Sequence, residues 1–190
     1  MSAAPQNRPM DAIVEAALKK WPNVPHCYGW LALDARGDWY MRDDRTQAAG
    51  RFPDIKGSRI EHDKLREFIA RNYAADERGA WFFQNGPQRV YVELEAAPWV
   101  WRVSGAPGAP VLASHTGRVA QAEATFVDES GRLFVGTDIG LGIVHTLDME
   151  AASDAVEHGT WRPEEVRFEA LVARFGVLLR PAPAGASTPA

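Results

Sequence analysis

Two stretches of the chain share one turn set between apolar strands. The first is Leu31-Ala-Leu-Asp34-Ala-Arg-Gly37-Asp-Trp39-Tyr40-Met41, and the second is Phe126-Val-Asp128-Glu-Ser-Gly131-Arg-Leu133-Phe134-Val135. In each, an Asp that can hydrogen-bond the turn backbone stands three residues before a Gly that reaches positive φ without steric cost. The two copies lie 94 residues apart. A chain patterned this way must form antiparallel hairpins, and the common offset points to two related halves.

The stretches between the turns have the periodicities of strands and helices. Met10–Trp21 places Ile13, Val14, Ala17, Leu18 and Trp21 on one helical face before Pro22 ends it. Arg42–Arg59 is polar and broken by Gly50 and Pro53, with a short strand expected near Ser58–Ile60. A second helix is expected over Asp63–Ala74, capped by His62 or Asp63. Asn85-Gly86 joins two strands, 80–84 and 89–94, as a hairpin. In the latter, Val90, Val92 and Leu94 share one face and Tyr91, Glu93 and Glu95 the other. A strand at Pro98–Val103 precedes Ser104–Pro110, whose two Gly and two Pro mark an internal boundary. Beyond it come strands near 111–113, 121–127, 132–136 and 141–146, a short helix at Met149–Glu157, a helix at Pro163–Phe175 and a closing strand at Val177–Leu179. Phe68-Ile-Ala-Arg71 and Leu171-Val-Ala-Arg174 extend the likeness of the halves.

The expected architecture is therefore α+β and β-rich: two similar hairpin-helix-strand units packed together, with an N-terminal helix. Residues 1–9 and 182–190 are rich in Pro and Ala and are expected to be disordered. Residues 10–103 form the first unit with its helix, 104–110 the linker and 111–181 the second unit.

Several function classes are disfavoured by composition. Net charge is −4, without a basic stripe, which argues against nucleic acid and anionic membranes. No apolar run approaches the roughly 20 residues of a membrane span, and the N-terminus lacks the apolar stretch of a signal peptide. Cys27 is the single cysteine, so no intramolecular disulfide forms. A cytoplasmic location is the expectation.

The five histidines, His26, His62, His115, His145 and His158, have no metal-binding spacing, and neither metal nor cofactor is expected. Ligand-binding candidates fall in three places. Arg42, Arg45 and Arg59 border a polar loop and suit a carboxylate or phosphate. Trp99 and Trp101 share one strand face, which is an interaction surface if open and core if closed. Asp138 and His145 flank the glycines of Gly136-Thr-Asp-Ile-Gly140-Leu-Gly142, where a ligand can approach the backbone. Cys27 beside a distant histidine is the raw material of a nucleophile–base pair, but no local signature accompanies it.

The Gly37-Asp-Trp39-Tyr40 hairpin, the Leu65–Tyr73 helix, the Trp81–Leu94 hairpin and Glu95-Ala-Ala-Pro98-Trp-Val occur in that order. This resembles a proteobacterial family of unknown function whose members carry a Gly-x-Trp-Tyr hairpin, an amphipathic helix, a paired strand and an Ala-Pro-Phe-Val strand. The resemblance covers residues 26–103 and departs at the polar insertion 43–57. It implies a β-rich fold with repeated motifs and short helices, a part in signal transduction, and no catalytic residues. The sequence thus reads as a non-enzymatic module that binds a small ligand or a protein partner. The alternative is an enzyme with a dispersed polar or metal site near His26, Cys27 and His62, with Arg59 beside them.

Overall fold

The computed structural model describes residues 10–183. They group into two compact units, each with its own sheet. The first holds residues 10–34, 38–95 and 178–183, and the second holds 35–37 and 96–177. The α+β, β-rich class with an N-terminal helix holds.

In the first unit, helix α1 (Ala12–Lys20) precedes strands β1 (Cys27–Leu33) and β2 (Trp39–Met41). Helix α2 (Asp44–Ala49), strand β3 (Ser58–Arg59), helix α3 (Asp63–Arg71) and strands β4 (Tyr73–Ala75), β5 (Trp81–Asn85) and β6 (Gln88–Leu94) follow. The sheet runs β3-β2-β1-β6-β5-β4, with β1 parallel to β6 and the other pairs antiparallel. Alternation along β6 divides its two faces as the sequence predicts. Val92 and Leu94 are buried with Leu31, Leu33, Trp39, Tyr73 and Phe83. The helix α3 packs its Phe68 ring on Phe83 at 5.4 Å. Tyr91, Glu93 and Glu95 point to the opposite face.

Three expectations change here. Helix α3 stops at Arg71 rather than 74, because Tyr73 leaves the helix to pair with Phe83. Its ring meets Trp81 at 4.7 Å and Trp39 at 5.2 Å. The polar loop holds an unforeseen helix, α2, started by Asp43, whose Oδ1 accepts from the Thr46 N–H at 2.8 Å. The closing strand reduces to a single parallel bridge between Leu178 and Ala80.

The second unit is a sheet of seven strands: β7 (Trp99–Ala106), β8 (Ala109–Ser114), β9 (Val119–Ala120), β10 (Ala122–Val127), β11 (Leu133–Thr137), β12 (Gly140–Val144) and β13 (Glu164–Glu165). They lie in the order β13-β10-β11-β12-β7-β8-β9, with β7 parallel to β12. A 3-10 turn at Thr146–Asp148 leads into helix α4 (Met149–Glu157), and helix α5 (Phe168–Arg174) closes the unit. Val100, Phe126, Phe134, Leu141, Ile143 and Leu171 form one apolar core, joined by Phe168 and Phe175.

The segment 104–110, expected as a linker, is the tip of the β7–β8 hairpin, with Ser104 paired to Val111 and Ala106 to Ala109. Its prolines and glycines serve a turn. Helix α5 starts at Phe168, because Glu164 and Glu165 pair with Phe126 and Val127 instead of continuing from Pro163.

Among the described residues the turn pattern occurs four times rather than twice. Asp34, Asp76 and Asp128 each accept, through Oδ1, the backbone N–H four residues on, at 3.0, 3.0 and 2.9 Å. Ser114 does the same through Oγ at 3.1 Å. The Gly of each turn has φ near +80° (84°, 79°, 74° for Gly37, Gly79, Gly131, and 79° for Gly117). Within the sheets, Asp76-Glu-Arg-Gly79 between β4 and β5 is the counterpart of Asp128-Glu-Ser-Gly131 between β10 and β11. The Asp34 turn, which the 94-residue offset matches to Asp128, belongs to a different hairpin. The helices also differ in place, since α3 precedes the last three strands of its sheet whereas α5 follows β13.

These turns should be stability elements. Asp128 is buried and its carboxylate also receives the N–H of Ser130 and the Arg132 guanidinium. Asp128→Ala should destabilise by about 1–3 kcal/mol, since buried donors lose their acceptor. Gly131→Ala, with open space around the added methyl, should cost only about 1 kcal/mol from its left-handed backbone. Urea denaturation of the two variants checks the order.

Candidate functional site

The face of the first sheet that bears Tyr91, Glu93 and Glu95 is where charged side chains converge. Pairing sets Ala32 opposite both Tyr40 and Glu93, and Tyr40 opposite Arg59, so β1, β2, β3 and β6 contribute to one surface. Arg42, two residues after Tyr40, is buried, and its guanidinium ion-pairs with Glu93. Its remaining N–H groups donate to Gly50 O at 2.6 Å and Ile55 O at 3.2 Å. Every one of these acceptors but Glu93 lies in the loop 43–57, so Arg42 holds that loop onto the sheet. Gln47 answers by donating to Arg42 O at 2.9 Å.

At the end of the same loop, Lys56 reaches two carboxylates. Its Nζ lies 2.9 Å from Asp34 Oδ2 and 3.3 Å from Glu95 Oε2. Burial pulls the Lys56 pKa down, but the hydrogen bond and charge of Asp34, with Glu95, outweigh it and raise it. The ammonium sits 5.4 Å from the Tyr40 ring centre, and burial followed by the Asp34 charge raises the Tyr40 hydroxyl. Arg59 pairs with Asp38 at 2.8 Å at the border.

A second cluster continues the face. Tyr28 and Tyr91 stack with ring centres 4.7 Å apart, and His26 meets Tyr91 edge-on at 5.7 Å. The Tyr91 hydroxyl donates to Asp76 Oδ2 at 3.0 Å, and Arg78 pairs with the same oxygen at 3.2 Å. Burial opposes ionisation of Asp76, yet the N–H of Ala80, the Tyr91 hydroxyl and Arg78 together hold its carboxyl below the usual range.

The sequence-predicted residues scatter. Arg42 and Arg59 lie on this face, and Arg45 is exposed in α2. The other four lie in the second unit, engaged with the chain itself. Trp99 and Trp101 are core. Their indole N–H groups donate to Ile139 O at 2.9 Å and Val135 O at 3.1 Å. Asp138 accepts from the Gln121 N–H at 2.8 Å. Buried His145 accepts, through Nδ1, the Leu147 N–H at 3.0 Å, opening the 3-10 turn. The glycines read as a ligand approach are seats for aromatic rings. A Cβ on Gly142 would stand 2.2 Å from Trp101 Nε1, and one on Gly136 would stand 2.6 Å from the Phe175 ring.

His26, Cys27 and His62 take separate roles. His62 caps α3 by accepting the Leu65 N–H at 3.3 Å, while burial raises the Cys27 thiol. No group of three His, Cys, Asp or Glu among the described residues is placed to hold a metal ion. No helix among them is long and apolar enough to cross a membrane. Asp34, Glu93, Glu95 and Asp76 were not singled out from the sequence as site residues. The alternation of Tyr91, Glu93 and Glu95 was the signal that could have found the face.

A family model described as "Protein of unknown function (DUF2946)", and labelled DUF2944, matches residues 10–182, nearly the whole described chain. The chain belongs to this family. The chain is also similar to two solved structures. A DUF1285 family protein from Silicibacter pomeroyi DSS-3 is 14% identical, with a TM-score of 0.48 over 77% of this chain and 85% of its own. A DUF1285 family protein from Shewanella baltica OS155 is 14% identical, with a TM-score of 0.43 over 66% of this chain and 96% of its own. None of the curated proteins matches.

Two outcomes follow from this geometry. Gly142→Ala should destabilise by about 1–3 kcal/mol or more, because the new methyl displaces the Trp101 indole from a packed core; thermal denaturation reads it. The depressed Asp76 carboxyl contributes stability above its unfolded-state pKa, and that contribution is lost as pH falls through the lower folded pKa. Asp76→Asn should therefore be less stable than wild type at pH 7, and the gap should close on acidification below about pH 4. Chemical denaturation at a series of pH values measures the closing.

Proposed function

We propose that the chain is a non-enzymatic cytoplasmic binding module, and that a small ligand or protein partner docks on the charged and aromatic face of the first sheet. One observation carries the reading. On that face Arg42–Glu93, Lys56–Asp34–Glu95 and Arg78–Asp76–Tyr91 form three polar groups, each with a buried and a partly exposed member, beside exposed His26 and half-exposed Trp30. Polar groups already held in place lose little freedom when a ligand arrives, so their contacts translate into affinity. Arg59, exposed at the border, provides a cation toward an anionic group.

The enzyme reading has less support. A reactive cysteine needs a lowered pKa, and burial moves the Cys27 thiol the other way. His62 spends its Nδ1 on a helix cap. A place in signalling is what the resemblance noted above implies for such a module.

A thermal-shift screen of metabolites and nucleotides tests the proposal, with Arg59→Ala and His26→Ala as partners to wild type. A compound at 100 times its Kd should stabilise by about 2.7 kcal/mol, a rise of roughly 5–10 °C for a chain of this size. Both variants should keep the wild-type Tm without ligand and lose most of the rise. A compound that stabilises all three proteins equally would place binding elsewhere.

A further inference from the structure

The same sheet face has an end that α1 covers. Met10 packs with Ala74, Ala80, Phe82 and Tyr91, and a Cβ on Gly86 would lie 4.0 Å from Ala17 Cβ. Gln84 stands two residues from each of Phe82 and Gly86 and is fully buried. Its Nε2 donates to Gly86 O at 2.9 Å, while its Oε1 is buried with no hydrogen-bond partner among the described residues.

The attachment of α1 is slight. Nine residues is shorter than a helix that holds itself together in water. Val14 is its one buried side chain, and Ile13 and the following Trp21 are 76% and 51% exposed. The N-cap residue Asp11 makes no side-chain cap. Its carboxylate is spent instead on Arg71 Nε at 3.3 Å and Asn72 Nδ2 at 3.3 Å, and its N–H donates to Asn72 Oδ1 at 3.2 Å. Among the described residues, the polar ties between α1 and the end of α3 thus run through a single residue. The connection to β1 carries Pro22 and Pro25, and Gln88 Nε2 donates to Pro25 O at 3.0 Å.

We infer that α1 is a detachable cover latched by Asp11: it opens as a unit while the first sheet stays folded, and opening delivers Gln84 Oε1 to hydrogen-bond donors. A buried acceptor without a donor disfavours the closed state, and the open state gives it water or a donor from another molecule. The helix propensity of α1, the Val14 contact and the Asp11 latch act in the other direction. Local opening of this kind belongs to elements with few buried contacts. The inference does not depend on what the face binds.

Hydrogen exchange followed by mass spectrometry on the full chain under native conditions tests it. The amides of α1 should exchange at least about tenfold faster than those of β5 and β6. Asp11→Ala should accelerate α1 several-fold further and leave β1, β5 and β6 unchanged. Gln84→Met, which removes the orphan oxygen at similar volume, should slow exchange in α1. Protection of α1 equal to that of the sheet, or acceleration of all elements together in Asp11→Ala, would overturn the inference. So would a Gln84→Met chain in which α1 exchanges as fast as, or faster than, in wild type.

Discussion

A buried guanidinium organises the first unit. Arg42 lies at the end of β2 with almost no solvent contact, and a charge in that position is tolerable only when every direction it points in is answered. Glu93 answers with a charge, and Gly50 and Ile55 answer with carbonyls. Those two carbonyls lie on either side of residues 51–54, so satisfying the cation closes the loop. The Asp43 cap on α2 and the Gln47 bond to Arg42 O then follow at short range. Lys56 is delivered to Asp34 and Glu95 as a consequence. One substitution at Arg42 would leave Glu93 without its cation and the loop without its anchor, which ties the charged face to a single buried residue.

Asp34 has two jobs in this arrangement. One oxygen sets the β1–β2 turn by accepting the Asp38 N–H, and the other receives Lys56. The turn and the face therefore share a carboxylate. The other turn acids divide their oxygens in the same manner. Asp76 gives Oδ1 to the turn and Oδ2 to Tyr91 and Arg78, and Asp128 gives Oδ1 to the turn and Oδ2 to Arg132. Ser114, with a single oxygen, can set its turn but cannot hold a cation, which is why an acid is the more useful residue where a charged face adjoins the hairpin.

Much of this was legible in the sequence wherever a local rule decides the outcome. The Asp-x-x-Gly turns, the Asn85-Gly86 hairpin, the His62 cap and the two faces of β6 need only neighbours a few residues away. Yet Asp76-Glu-Arg-Gly79 is hard to read as a hairpin turn because its first strand, β4, is three residues long and follows α3 almost directly. The hydrogen bonds of Arg42, Trp99 and Trp101 were not legible. Each is decided by partners brought together by the fold: Glu93 lies 51 residues from Arg42, and Ile139 lies 40 from Trp99. An arginine in a polar loop reads as solvated until a sheet is placed under it.

The glycines from 136 to 142 make the same point from the opposite side. Read alone, bare backbone in a short span suggests room for a ligand. In the structure the room is taken, because an aromatic ring packed against a strand excludes a Cβ on the residue beside it. Trp101 over Gly142 and Phe175 over Gly136 are two instances. The missing side chains and the oversized ones are one packing solution, and the indole N–H groups use the strand for hydrogen bonds as well as for contact. A glycine-rich stretch in a chain with seven tryptophans is therefore weighed first against the aromatic residues that need a flat surface. Partly exposed charged groups such as Lys56 are the better guide to a surface that another molecule can reach.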